Sequence, residues 1–178
     1  ANTLSLSGGG SFVSGGLTLN NADSKLLLNS ITLDSASTSA NSLGIDVDDN
    51  STITALSVAN ITPVSVAADK SLSGAIAVTA GSIKLTETGT VASNVTMSGG
   101  TLDADETSTL SGTLTQSGNI TIDVATGKTL TYSGAKVSLG ANTLTLSGGG
   151  TLGSTTPILL NNATSKLLLN SITVGSVS

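Results

Sequence analysis

Six of the 11 acidic residues fall in two short runs, Asp46-Val47-Asp48-Asp49-Asn50 and Asp103-Ala104-Asp105-Glu106. Carboxylates packed this closely supply hard oxygen donors, and Ca²⁺ is the cation that gathers about six to eight of them. Asp46, Asp48, Asp49, Asp103, Asp105 and Glu106 are therefore the candidate metal ligands. Neither run has the spacing of an EF-hand loop or of the Gly-Gly-x-Gly-x-Asp calcium nonapeptide. Solvated charges at the corners of a β-fold, where they discourage sideways sheet pairing, account for both runs equally well. The expectation is no metal, with these six residues as the places to look for one.

The rest of the composition closes most chemical routes. The chain has no His, Cys or Trp, a single Phe, Tyr and Met, and only Lys among its six basic residues. Imidazole bases, thiol nucleophiles and zinc sites are thus ruled out, as is the guanidinium fork that clamps phosphate or carboxylate. A carbohydrate-cleaving β-helix needs paired carboxylates in a groove, or a basic residue working with Ca²⁺, and its sugar platforms use exposed aromatics. The expectation is a non-enzyme without catalytic residues or cofactors. A net charge of −5 and a pI near 4.2 oppose binding to nucleic acid or to an anionic membrane surface. No apolar run is long enough for a membrane-spanning helix. Thr-x-Thr triplets at Thr52–Thr54, Thr113–Thr115, Thr129–Thr131 and Thr143–Thr145 resemble an ice-binding lattice. Their starts are unevenly spaced, and outward Thr on ordinary strands is the simpler account.

These residues have to be positioned by strands. Apolar residues alternate with Ser or Thr in Leu4-Ser5-Leu6, Leu17-Thr18-Leu19, Val64-Ser65-Val66, Ile120-Thr121-Ile122 and Leu144-Thr145-Leu146. A period of two turns the apolar members to one face and the hydroxyls to the other. Gly-rich punctuation follows many of these runs, and no segment carries a helical period with caps. With 38% apolar residues and two Pro, the chain is too hydrophobic for disorder despite being about one-third Ser and Thr. The class is all-β with no significant helix.

Two all-β plans compete. A sandwich favours Asn-Gly hairpins and a broad aromatic core, and this chain has no Asn-Gly or Asp-Gly pair and only Phe12 and Tyr132 as aromatics. A parallel β-solenoid has a narrow interior that Leu, Ile, Val and Ala fill. Ser-Gly corners at Ser98, Ser117, Ser133 and Ser147 suggest a spacing near one coil, with Ser73 an earlier corner and residues 34–51 a longer loop. At roughly 20 residues per coil and about 4.8 Å per rung, the chain forms about nine coils. Leu4, Leu6, Leu26, Leu28, Ile76, Val78, Ile120, Ile122, Leu144 and Leu146 are the expected core.

A long internal repeat organises the chain. Ala1 to Gly10 reappears, with Thr145 for Ser5, at Ala141 to Gly150, 140 positions on. Asn20 to Thr32 reappears, with Thr164 for Asp23, at Asn161 to Thr173, 141 positions on. Residues 1–140 form one long solenoid repeat unit, and 141–178 begin the next with no linker. The two copies are expected to be structurally equivalent, with Asn20, Asn21 and Asn29 and their counterparts Asn161, Asn162 and Asn170 stacking as corner amides. Starting and stopping within a repeat, and opening on Ala1 rather than Met, the chain is expected to be a window on a longer protein.

The phrases Thr143-Leu144-Thr145-Leu146-Ser147-Gly148-Gly149-Gly150-Thr151-Leu152 and Val95-Thr96-Met97-Ser98-Gly99-Gly100-Thr101-Leu102 resemble the β-helix repeats of bacterial autotransporter passengers. They are also similar to those of large haemagglutinin-type repetitive surface adhesins. The resemblance implies an exported, single-stranded right-handed parallel β-helix at the cell surface, building a stalk, fibre or biofilm matrix. It carries over no functional residue. The expected function is a structural extracellular repeat whose partner is itself, through neighbouring repeats or subunits stacked end to end. The alternative is an adhesin that binds a host receptor or surface glycan; a calcium-stabilised matrix protein and an ice-binding solenoid are lesser alternatives.

Overall fold

The computed structural model describes residues 2–13 and 15–176. Its regular elements are all strands, paired in parallel throughout, and they stack as a β-solenoid of nine coils. Each coil opens on a first wall: Asn2–Ser7, Ser24–Asn29, Gly44–Val47, Ile61–Val66, Ser82–Leu85, Thr101–Ala104, Ile120–Val124, Thr143–Ser147 and Lys166–Leu169. The chain then turns into a second wall and, after a bend, a third. In coils 2 to 4 those two walls are one bent strand, Thr32–Thr38, Ser51–Val58 and Ser71–Val78. Higher up, the strand breaks into two, as in Thr90–Val91 followed by Asn94–Met97. An extra residue in Ser51–Val58, at the register shift between Ile53 and Leu56, makes the bend there.

The alternation of the sequence explains the interior. Successive inward residues of one coil sit on those of the coil below: Leu102 on Ile83, Ile122 on Leu102, and Leu146 on Ile122. Leu26, Leu28, Ile76, Val78, Ile120, Ile122, Leu144 and Leu146 are all buried in this column of aliphatic rungs. Leu6 is half-buried against it. Leu4 departs from expectation at 40% exposed, although it pairs directly with buried Leu26. It points inward, but its coil is the first and nothing described lies beneath it. Tyr132 is also buried; its hydroxyl donates to the Ala135 carbonyl and accepts from the Leu114 N–H, 3.1 Å away, so the phenol adds no unpaired polar atom.

Two readings of the sequence need correction. Residues 34–51 are not a long loop, because the strand Thr32–Thr38 runs into the range, Gly44–Val47 lies within it and Ser51–Val58 begins at its end. Asp34 is exposed while Ala36 and Thr38 are buried, so the charge sits outside the strand without breaking it. The Ser-Gly corners also do not mark a single period. Ser98 and Ser117 turn the third wall into the first, Ser133 turns the second into the third, and Ser147 turns the first into the second. Ser73 lies at the bend between second and third walls within Ser71–Val78. Where the neighbouring coil passes close, the corner needs a small residue: a Cβ on Gly118 would lie 2.0 Å from the Ser98 carbonyl oxygen, and one on Gly134 2.1 Å from that of Gly112.

The two copies of the repeat have matching local geometry. Leu4 pairs with Leu26 and Leu6 with Leu28, as Leu144 pairs with Leu167 and Leu146 with Leu169. Ser30 and its counterpart Ser171 share a left-handed backbone, at φ 55° and 53°. Thr32 N–H donates to the Gly10 carbonyl, and Thr173 N–H to the Gly150 carbonyl, both at 3.0 Å. Seven coils separate the first copy from the second.

The equivalent glycines Gly10 and Gly150 test coil stacking directly. A Cβ on Gly10 meets nothing within 4 Å, whereas one on Gly150 lies 2.4 Å from the Ala125 carbonyl oxygen. Gly10→Ala should leave the melting temperature nearly unchanged, and Gly150→Ala should lower stability by about 1–3 kcal/mol. Equal effects in thermal unfolding would contradict the stacking. Leu26→Asp buries an unpaired charge and should cost several kcal/mol, on the order of what opens a coil.

Candidate functional site

The acidic runs lie on the outside of the solenoid, where the neighbouring coil places a lysine against most of them. Lys25 Nζ reaches Asp46 at 2.5 Å, Lys70 reaches Asp49 at 3.0 Å, and Lys128 reaches Glu106 at 2.5 Å. Lys84 sits between two carboxylates, 2.9 Å from Asp105 and 3.3 Å from Asp103. Lys84 and Asp103 are direct register partners on the first wall, so the pleat itself sets that contact. Asp48 makes its backbone bond to the Leu28 carbonyl and carries its side chain exposed beside this row. Among the described residues, no three acidic side chains converge in a way that holds a metal ion. Five of the six candidates, all but Asp48, thus form a set of ion pairs between coils.

The charges respond as expected. Asp46 holds the Lys25 ammonium above its usual 10.5, first by hydrogen bond and then by charge. Lys84 is raised too, because its bond to Asp105 and the nearby Asp103 outweigh the opposing effect of burial. Asp49 is lowered, mainly by its bond to Lys70. Asp103 is raised, first by burial and then by the Asp105 charge, so its ionised form is a cost in the folded chain at neutral pH. Lone surface ion pairs are worth up to about 1 kcal/mol, so these contacts select the register more than they hold the fold.

Asparagines do related work at the corners. The Oδ1 atoms of Asn41, Asn50, Asn94 and Asn119 accept backbone N–H groups of Ile61, Ser71, Thr113 and Thr143, each one coil further on. Among the amides singled out in the repeat, Asn161 accepts from Gly140 in the coil below, while Asn21 and Asn162 close local turns onto Asp23 and Thr164. No amide-to-amide ladder joins the described residues; a single carbonyl oxygen aimed at an orphan N–H serves instead. The third wall has a shallow depression floored by small outward residues, among them Ser35, Ala55, Ser57, Ala75, Ala77 and Thr96.

The ends are the other unusual surfaces. One presents the strand Asn2–Ser7 with Leu4, Phe12 and Val13 exposed, the other Lys166–Leu169 with Leu160, Leu169 and Val174 exposed. Among the described residues, the outermost strand of each wall has a neighbour on one side only. The sequence search for reactive groups missed these residues because they are ordinary core types. It also missed the lysines, although their signal was available: opposite charges about one coil apart along the chain. Comparison with known protein families, curated proteins and solved structures returns no match.

Lys25 and Lys84 have folded pKa values above their unfolded value of 10.5, so their contribution is complete below that pH and is lost as pH rises through the folded values. Burial likewise favours the neutral Tyr132 phenol, which is raised from 10.0. The melting temperature should therefore fall on the alkaline side, above about pH 10. A Lys25→Gln, Lys84→Gln variant should show a smaller alkaline loss, and an unchanged profile would refute the assignment. At neutral pH, Asp103→Asn should be neutral or slightly stabilising and Asp105→Asn slightly destabilising, each by less than about 1 kcal/mol. Added Ca²⁺ should leave the melting temperature of the wild type where it is.

Proposed function

We propose that the chain is a structural extracellular β-solenoid repeat, which builds a fibre, filament or surface stalk by continuous or end-to-end stacking of coils. The observation that carries this reading is the internal repeat: the sequence of the first coils returns seven coils later, and its second copy continues the same walls and the same aliphatic column. A solenoid is stabilised by each coil's contacts with its neighbours, so a unit that repeats in register extends the rod by the same contacts that hold it together. Each added coil satisfies backbone groups and apolar side chains in one step. The function is mechanical: in-register backbone bonds and a stacked core give a stiff, protease-resistant rod. The ion pairs and corner asparagines between coils hold the register. The wall chemistry, largely Ser and Thr with few aromatics, suits a solvated outer face.

Sedimentation and electron microscopy test the proposal. The wild type should assemble as concentration rises, into rods with an axial period of about 34 Å, seven coils at the usual strand spacing. Leu169→Asp places a charge on an exposed end residue. It should abolish assembly while leaving the melting temperature of the monomer unchanged. A wild type that stays monomeric at every concentration would sink end-to-end stacking and leave only the continuous array.

A further inference from the structure

The third wall is broken once inside the stack. From Leu17–Leu19 it climbs through Thr32–Thr38, Ser51–Val58, Ser71–Val78 and Asn94–Met97 to Leu114–Gln116 in coil 6, each strand laddered to the next. There the ladder stops. Val137–Ser138, the third-wall strand of coil 7, lies beside Leu114–Gln116 but pairs only with Ile158–Leu159 of coil 8, as a separate two-stranded sheet. Among the described residues, no backbone bond joins Leu114–Gln116 to Val137–Ser138. The first and second walls run on across the same level, Thr101–Ala104 to Ile120–Val124 and Ser108–Leu110 to Thr129–Tyr132. Coil 7 is longer than the two beneath it. From Ile122 to its counterpart Leu146 is 24 residues, against 20 from Leu102 to Ile122 and 19 from Ile83 to Leu102.

Side chains close the break. Val95 N–H, in coil 5, donates to the Thr113 carbonyl of coil 6 at 2.8 Å. Leu114, the register partner of Val95 one coil up, donates instead to the Tyr132 hydroxyl at 3.1 Å, and that hydroxyl donates in turn to the Ala135 carbonyl. At the other end of the strand, buried Gln116 donates its Nε2 to the Thr143 carbonyl at 2.8 Å, where coil 7 passes into coil 8. Its Oε1 is buried without a partner. Behind the break the core holds a small void of about 10 Å³, bordered by Leu114, Tyr132 and Val137 among others. We infer that this seam is a hinge: the third wall opens between coils 6 and 7, with the first and second walls as the fold line, and the rod bends there while each coil stays intact. In a stack held by nearest-neighbour contacts, the weakest joint opens first. Here two side-chain bridges stand in for a ladder of backbone bonds, and one bridge leaves an acceptor unsatisfied at a desolvation cost. Tyr132 and Gln116 are the latch. The hinge belongs to the single chain; in the proposed fibre it recurs with each unit and gives a stiff rod one compliant joint per unit.

Amide hydrogen exchange on the whole chain reads the opening residue by residue. The Leu114 amide should exchange about tenfold or more faster than that of Val95, its partner in the unbroken ladder. Tyr132→Phe should speed Leu114 further while Ile122, on the first wall, keeps its rate. The chain has no cysteine, so pairs of spin labels on introduced cysteines report the bend itself. Ser57→Cys with Ser138→Cys spans four coils across the seam, about 19 Å at the usual strand spacing. Ser37→Cys with Thr115→Cys spans four coils of continuous ladder as the control. Electron paramagnetic resonance should give the broader distance distribution for the pair across the seam. Tyr132→Phe should widen that distribution and leave the control as it was. Gln116→Met removes the other bridge and makes the same test should Tyr132→Phe fail to fold. Equal widths for the two pairs in wild type and variant, or a Leu114 amide as protected as that of Val95, would overturn the hinge. These readouts need no assembly, so their failure leaves the fibre reading to its own test.

Discussion

Parallel stacking at one strand spacing is the constraint from which most of this structure follows. Residues face counterparts one coil away, and at several corners the backbone of that coil leaves no room for a side chain. A Cβ on Gly44 would lie 2.2 Å from the Pro63 carbonyl oxygen. Gly44 also has φ +104°, so both space and conformation ask for glycine there. The same spacing that demands glycine at corners demands alternation along walls. It turns a charge on one coil toward the next, as Lys84 meets Asp103 and Asp105. Small corners, aliphatic rungs and coil-to-coil ion pairs are three consequences of one distance.

How much of this was legible in the sequence depended on whether the signal was local. Alternation is local, so Leu26, Leu28, Ile120, Ile122, Leu144 and Leu146 could be placed inside from their immediate neighbours. The internal repeat was legible too, because it needs only comparison of the chain with itself. Corner identity was not. Ser98, Ser133 and Ser147 have the same local look, a Ser-Gly pair after a strand, yet turn three different corners. What distinguishes them is which strand lies beneath, and that is non-local information. The strand Thr32–Thr38 was misjudged for a related reason, since Asp34 and a run of Ser suggest a loop to anyone who cannot see the strands on either side.

The acidic runs show how the same gap affects a functional reading. Viewed along the chain, Asp103, Asp105 and Glu106 look like a ligand cluster. In the fold their pleat sends Asp103 and Asp105 toward Lys84, below, and Glu106 toward Lys128, above. Carboxylates that are close in sequence are thus divided between two neighbouring coils. A solenoid sorts charge by column, and columns run across the chain. The ion-pair partners become visible only once the coil length is known.

The repeat and the coils must also agree in parity. The column through Leu6 rises by Leu28 and Val47 to Val66. The column through Leu146, the counterpart of Leu6 in the second copy, descends by Ile122, Leu102 and Ile83 to Thr62. Val66 and Thr62 belong to the same strand and lie four residues apart, so the stack drifts by two pleats over the unit. An even drift keeps every inward position inward, whereas an odd one would turn the leucines of the second copy to solvent and its threonines to the core. Unequal coil lengths are therefore tolerated as long as their sum preserves parity, and insertions at corners are where the sum can be adjusted. The single residue gained between the two matched blocks lies near Pro157, between the second-wall strand Thr151–Ser154 and the third-wall strand Ile158–Leu159. There it lengthens a corner and leaves the alternation of both strands as it was.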